Sequence, residues 1–144
     1  MPSKSAEVVE LTVPCDAKYL VVVRLATAGV GNRAGLSVED IEDIKVAVAE
    51  ACTNVINHAF DEGVGPTERQ IRVRLVPEDG KLTVEVEDEG AGFDPKQLER
   101  GQQMPLEGNG GLGFGLMREL TDSISIESAP GSGTKVTMTK RAAR

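Results

Sequence analysis

The sequence predicts an α+β domain, a two-layer sandwich in which a mostly antiparallel, mixed sheet is covered on one face by helices. Three observations lead there. Segments with period-two alternation come in hairpin pairs, as at Ile71, Val73, Leu75 and Leu82, Val84, Val86 around the turn Asp79-Gly80. Two helical segments follow one another between the first strand and the first hairpin, so helices and strands do not alternate one for one. The resulting order of strand, two helices, hairpin, helix, hairpin groups the helices against one sheet and does not repeat a βαβ unit.

The elements follow in order. Val9, Leu11 and Val13 alternate with Glu10 and Thr12, making a first strand that ends at Pro14. Asp16 is placed to cap a helix through about Gly29 that carries Leu20, Val23, Ala26 and Thr27, and Gly29-Val-Gly31-Asn-Arg33 reads as a loop. Ser37-Val-Glu-Asp40 resembles a capping box with Asp in place of the usual Glu or Gln, opening a helix to about Ala59. At about 100° per residue, Ile41, Ile44, Val48, Cys52, Val55 and Ala59 fall in one sector of it, with Glu50, Asn54 and Asn57 roughly opposite. The apolar sector is expected to cover the sheet, while the polar one is either solvated or faces a site. In the first hairpin Arg72 and Arg74 share the outer face with Glu85 and Glu87 as cross-strand partners. Leu112 to Leu120 reads as a helix, Ile124 and Ile126 begin a strand, and Ala129-Pro-Gly-Ser-Gly133 turns it into a last strand over 134–139. Residues 93–110 form the one long irregular stretch, which in a small domain marks a lid or a disordered segment.

The bulk numbers narrow the function classes. The 144 residues fit one domain, 1–144, with 40% hydrophobic and 27% charged residues. No apolar run approaches the roughly 18 residues of a membrane span. Residues 1–10 lack a basic start and an apolar signal core, so the expectation is a cytoplasmic protein whose Cys15 and Cys52 are reduced thiols. One histidine and two scattered cysteines do not make a zinc site. A net charge of −7 argues against nucleic acid as the main partner. An acidic chain that binds an anionic nucleotide must use local devices: glycine amides, a helix N-terminus and a metal ion.

Three motifs supply such devices. In Asp88-Glu-Gly90-Ala-Gly92 the aspartate stands where a strand ends, placed to accept from an amine, and the glycines let backbone approach a flat ring. The alternative is a plain turn. Gly108-Asn-Gly110-Gly111-Leu-Gly113-Phe-Gly115 opens a helix, so its amides and the helix dipole suit an anion; a flexible loop before a helix is the plainer reading. It is not a Walker loop, because no Lys-Ser/Thr follows, nor a dinucleotide fingerprint, because no parallel βαβ unit surrounds it. Glu50 and Asn54 stand one turn apart on one helix face, a proton acceptor beside a neutral oxygen ligand for Mg²⁺, or simply an exposed polar face. His58 lies off that side and reads as structural or surface, Cys52 reads as core, and Arg24 is a lone basic residue in an apolar helix.

Together and in this order, Glu50-x-x-x-Asn54, Asp88-x-Gly90-x-Gly92 and Gly111-x-Gly113-x-Gly115 resemble the N, G1 and G2 boxes of the GHKL ATPase superfamily. Gly133-Thr134 resembles a further element of that family, and the resemblance spans about Leu11 to Met138. The wording Glu50-Ala-Cys-Thr-Asn54-Val-Ile-Asn-His58-Ala is similar to the N box of bacterial anti-sigma factor serine/threonine kinases of the sporulation and stress-response type. The resemblance implies a Bergerat-type ATP-binding fold. It implies a kinase that sequesters a sigma factor, phosphorylates a serine on an anti-anti-sigma (STAS-type) protein with ATP and Mg²⁺, releases ADP, and forms a homodimer. By position it makes Glu50 the general base and Asn54 the Mg²⁺ ligand, with Asp88, Gly90 and Gly92 at the adenine. Gly111, Leu112, Gly113, Phe114 and Gly115 then line the phosphates, Thr134 supports the adenine pocket through water, and Arg24 contacts partner proteins. One departure stands out: some relatives carry a basic residue before the G2 glycines, where this chain has Glu107-Gly-Asn109, so Lys96 or Arg100 becomes the candidate source of positive charge. Two other readings remain open here, a nucleotide-gated sigma-binding regulator with weak or no kinase activity and a detached histidine-kinase-type ATPase domain.

Overall fold

The computed structural model describes residues 7–59, 69–88, 110–128 and 133–142, with only the backbone of 58, 59, 110–114 and 128. Strand β1 (Val9–Pro14) leads through a short 3-10 turn, Ala17–Tyr19, into helix α1 (Leu20–Arg33). Helix α2 (Val38–Asn54) continues as one π-helical turn, Val55–Ala59. Strands β2 (Gln70–Glu78) and β3 (Lys81–Asp88) form the first hairpin, helix α3 spans Gly110–Leu120, and β4 (Ser123–Ser128) and β5 (Thr134–Arg141) form the second. The sheet order is β1-β2-β3-β5-β4, and every pairing among the described strands is antiparallel. The parallel pairing that a mixed sheet would add is absent among the described residues.

Period-two alternation sets the two faces. Ile71, Val73 and Leu75 of β2, Leu82, Val84 and Val86 of β3, and Val136 and Met138 of β5 are buried beneath the helices. Val23 of α1, Ile44, Ala47, Val48, Ala51 and Cys52 of α2, and Met117 of α3 close over them. Each large side chain buried this way contributes about 1.5–3 kcal/mol relative to exposure. The opposite face is polar, and its expected pairs form: Arg72 stands across from Glu87 and Arg74 across from Glu85, with Nη–Oε1 separations of 3.4 and 3.3 Å. Arg74 also reaches Glu10 of β1 at 3.1 Å, so one guanidinium ties three strands.

Both capping residues bond, but Asp16 caps the 3-10 turn and not α1, which starts at Leu20 without a side-chain cap. Lys18 N–H donates to Asp16 Oδ1 at 3.0 Å and Asp40 N–H donates to Ser37 Oγ at 3.1 Å. Gly80 takes φ +79° in the β2–β3 turn, a conformation that favours glycine. Several boundaries differ from expectation: α3 starts at Gly110 and not Leu112, β5 runs past 139 to Arg141, and both earlier helices end differently. Residues 29–33 are not a loop: α1 runs on to Arg33 because Gly31 faces α2, where a Cβ would stand 3.1 Å from Ile41 Cγ1. The helix instead stops before Gly35, at φ +90°, the left-handed position that ends helices. The second helix leaves α geometry at Asn54 and reaches Ala59 as the π turn. Such turns cluster at functional positions, and this one follows the residue singled out as a metal ligand.

Candidate functional site

The register gathers the candidate residues at one end of the sheet. β1 ends, β2 begins, β3 ends and β5 begins there: Pro14 pairs with Gln70, Arg72 with Glu87 and Asp88 with Thr134. Asp88 is the last inward position of β3, after Leu82, Val84 and Val86, and Thr134 is the first of β5, before Val136 and Met138. Alternation alone therefore places a carboxylate and a hydroxyl side by side in the core layer, 4% and 8% exposed.

The helices aim at the same end. The Lys140–Asp43 contact holds the N-terminal half of α2 at the far end of the sheet, so the helix carries Glu50 and Asn54 toward the site end. α3 runs the other way, since its C-terminus leads at once into Ser123, which pairs with Thr139 at the far end of the sheet. Its glycine-rich first turn, with Gly111, Leu112, Gly113 and Phe114, therefore faces the site end. α2 packs against α3, so the Glu50/Asn54 helix and the glycine-rich helix are neighbours. Among the described residues nothing stands within 4 Å of where a Cβ on Gly115 would be.

Glu50 is half-buried and Asn57 exposed. Asn54 Nδ2 is buried with no hydrogen-bond partner among the described residues. An orphaned amide costs about 1–3 kcal/mol unless something completes it. Turning the amide by 180° exchanges Nδ2 and Oδ1, so the same spot presents an oxygen to a cation. This position thus fits a ligand-facing residue better than a solvated one. Among the described residues no group of three or more His, Cys, Asp or Glu is arranged to hold a metal ion.

Two cysteines share this end, Cys52 within the Glu50–Asn54 motif and Cys15 outside the motifs. Cys15 follows β1, its N–H donating to Arg69 O at 2.9 Å, and its thiol is pushed up to about 11 by burial first and then by the Asp88 carboxylate. Burial pushes the Cys52 thiol up to about 12, with Cys15 adding to it. Both cysteines are free. The sign of the linkage follows. An unfolded thiol near 9 ionises before the folded Cys52 does, so the unfolded state binds fewer protons between pH 9 and 12 and stability falls with rising pH across that window. Cys52→Ala should reduce that loss of stability between pH 8 and 10.5 in urea titrations, with the smaller contribution of Cys15 remaining.

Gly90, Gly92, Glu107, Lys96, Arg100, the lid through residue 109 and the His58 side chain lie outside the described residues. Arg24 is exposed on α1, away from the sheet, flanked by Val21 and Leu25 on the same helix face. It is not brought to the site by any contact described. No helix among the described residues is long and apolar enough to cross a membrane.

A model of the histidine kinase-like ATPase domain family matches residues 13–140. The serine-protein kinase RsbW of Bacillus velezensis is 39% identical over 146 residues, covering 96% of this chain and 88% of its own length. That of Halalkalibacterium halodurans is 38% identical, with 93% and 83% covered. Among solved structures, the RsbU and RsbW domains of a Mycobacterium tuberculosis protein superpose with a TM-score of 0.69 at 21% identity, covering 96% of this chain and 33% of that one. The histidine kinase domain of a blue-light activated kinase from Erythrobacter litoralis gives 0.56 at 22%, covering 90% and 61%. At those identities the two structures speak for the fold.

Proposed function

The chain belongs to the histidine kinase-like ATPase family, among the RsbW-type serine-protein kinases, and from that premise we propose a cytoplasmic anti-sigma factor that sequesters a sigma factor and uses Mg-ATP to phosphorylate a serine of an anti-anti-sigma protein of STAS type. The observation that carries the reading is the convergence at one sheet end of a buried Asp88–Thr134 pair with the Glu50/Asn54 stripe of α2 and the glycine-rich start of α3.

The roles divide by chemistry. Asp88 accepts from the adenine amine, with Gly90 and Gly92 beside the ring and Thr134 supporting the pocket through water. Asn54 would offer its amide oxygen to Mg²⁺, and a bound Mg²⁺ would supply positive charge to offset that of the phosphates. The amides of Gly111, Leu112, Gly113, Phe114 and Gly115 hold the phosphates, and the positive end of the α3 dipole lies behind them. Glu50 accepts the proton of the substrate serine as its oxygen bonds to the γ-phosphoryl group and ADP departs. Positioning and charge neutralisation are most of the work in such a transfer.

Incubation with Mg-ATP and the cognate anti-anti-sigma protein tests this. The expected result is a mass gain of one phosphate on that partner, stable in acid and labile in base. An acid-labile phosphate would mean histidine-kinase-type chemistry. Binding without any mass gain would mean a regulator that has lost transfer.

A second copy of the chain is assigned to α1. Val21, Val22 and Leu25 are large apolar side chains exposed on this helix, Leu25 at 68%. β1, with Val9 exposed and Val8 exposed just before it, is an edge strand. A helix apolar on its outer as well as its inner side is one that something else covers. Arg24 flanks the patch and is assigned to contact with the protein partners. Leu25→Glu is expected to convert a dimer to a monomer in sedimentation equilibrium with the helical circular-dichroism signal unchanged. A monomeric wild type would overturn the assignment.

A further inference from the structure

We propose that Lys140 is a positioning residue that clamps α2 to α3 at the end of the sheet remote from the site, and so sets the spacing between Glu50/Asn54 and the glycine-rich start of α3. The ammonium of Lys140 is 3.1 Å from Asp43 Oδ2 and donates to the Leu120 carbonyl oxygen at 3.0 Å. One cation on β5 thus joins α2 and the last residue of α3. Its side chain is 13% exposed and that of Asp43 42%. Lys140 occupies the core-facing parity of β5, after Thr134, Val136 and Met138, and pairs with Leu82. A lysine at an inward position is costly unless its charge is met, and here a carboxylate and a helix C-terminal carbonyl meet it.

Geometry gives the clamp its consequence. At about 100° per residue, Asp43, Glu50 and Asn54 fall within roughly 40° of one another around α2, Glu50 about 10 Å and Asn54 about 16 Å further along. The ion pair therefore sits on the stripe that carries the proposed base and metal ligand. The two helices are antiparallel neighbours joined at their remote ends, and their other ends face the site. The α3 anchor is reinforced locally: Thr121 Oγ1 donates to Met117 O at 2.7 Å, Asp122 N–H to Thr139 O at 2.8 Å, and Arg141 N–H to Asp122 Oδ2 at 2.6 Å. Met117 is fully buried. With α3 pinned at its C-terminal end, a small change of tilt there becomes a displacement of the glycine amides about 15 Å away.

The inference rests on the assignment of Glu50, Asn54 and the glycine turn to the phosphate end. The test measures affinity for fluorescent ATP and ADP analogues in the full chain, alongside transfer. Lys140→Met and Asp43→Asn should each weaken Mg-ATP binding about tenfold, and ADP without metal less than about threefold, since adenine contacts are untouched. The double variant should be no worse than Lys140→Met, and Lys140→Arg should restore binding to within about threefold. Lys45→Met, which breaks the exposed Lys45–Glu42 pair on the same helix, should leave affinity unchanged. Folding of each variant is checked by circular dichroism. If Lys140→Met misfolds, Asp43→Asn and Lys140→Arg carry the comparison. Equal ATP affinity in wild type and clamp variants overturns this proposal alone. Parallel losses of ATP and ADP affinity overturn it too, because they mark general destabilisation. A wild type that binds neither nucleotide overturns the site assignment and the clamp with it.

Discussion

Glu50→Ala is expected to lower phosphoryl transfer to the partner serine by roughly 10³-fold, within the 10²–10⁴ range of a general base, while nucleotide affinity stays within about twofold. The side chain stands one turn before Asn54 on α2, half-buried, beside the proposed metal ligand and apart from the residues proposed for the adenine. Removing a carboxylate from beside a triphosphate relieves repulsion, so binding should hold or tighten slightly. Loss confined to the turnover step, with binding intact, is the signature of an interaction made in the transition state. Glu50→Gln keeps size and polarity and should be nearly as impaired, because it cannot take the proton. Single-turnover phosphorylation of the anti-anti-sigma protein measures the rate and a fluorescent ATP analogue measures binding. Wild-type transfer by Glu50→Ala would end the general-base assignment. A parallel loss of binding would move Glu50 to a structural role. The same variant separates the two activities proposed for the chain: sigma-factor binding in the presence of ATP should persist.

How much of this was legible in the sequence depends on which force wrote each element. Alternation wrote the strands and the helical period wrote the buried face of α2, so Ile44, Val48 and Cys52 are core as expected. The capping residues Asp16 and Ser37 act locally, and both bond as local chemistry requires. Glycine was the ambiguous letter. Gly29 and Gly31 looked like a helix stop, yet Gly31 is small because α2 lies against it, and only Gly35 takes the left-handed turn. That distinction is a tertiary contact and has no local signature. The Asp88–Thr134 pairing needed register, which joins residues far apart in the chain. Lys140 left no trace in the strand as read, which stopped at 139; β5 runs on to Arg141 and so puts this lysine at an inward parity position after Val136 and Met138. Its partners Asp43 and Leu120 become visible only when three elements are assembled.

Asp88→Asn should weaken ATP and ADP alike, by about 2–4 kcal/mol or roughly 30- to 1,000-fold, because an acceptor aimed at an amine becomes a mixed group whose donor can face that amine. The effect belongs to the adenine end, so it should be the same with and without Mg²⁺. Asn54→Ala should instead hurt the Mg-ATP complex and spare metal-free ADP. Discrimination against guanine should relax as well. A 6-oxo ring meets repulsion from a carboxylate but accepts from an Asn amide, so the ATP-to-GTP affinity ratio should collapse toward unity. Cys15 reports on the same substitution without any nucleotide. Its thiol is held at about 11 by burial first and by the Asp88 carboxylate next, so removing that charge must lower it. Thiol modification of the folded protein at pH 9–10 should therefore quicken in Asp88→Asn, with burial still keeping it slower than in the unfolded chain. Quicker modification together with lost affinity for both nucleotides would identify the buried charge beside Cys15 as the one that reads the adenine. Quicker modification with unchanged affinity would leave Asp88 a core carboxylate and send the adenine contact elsewhere.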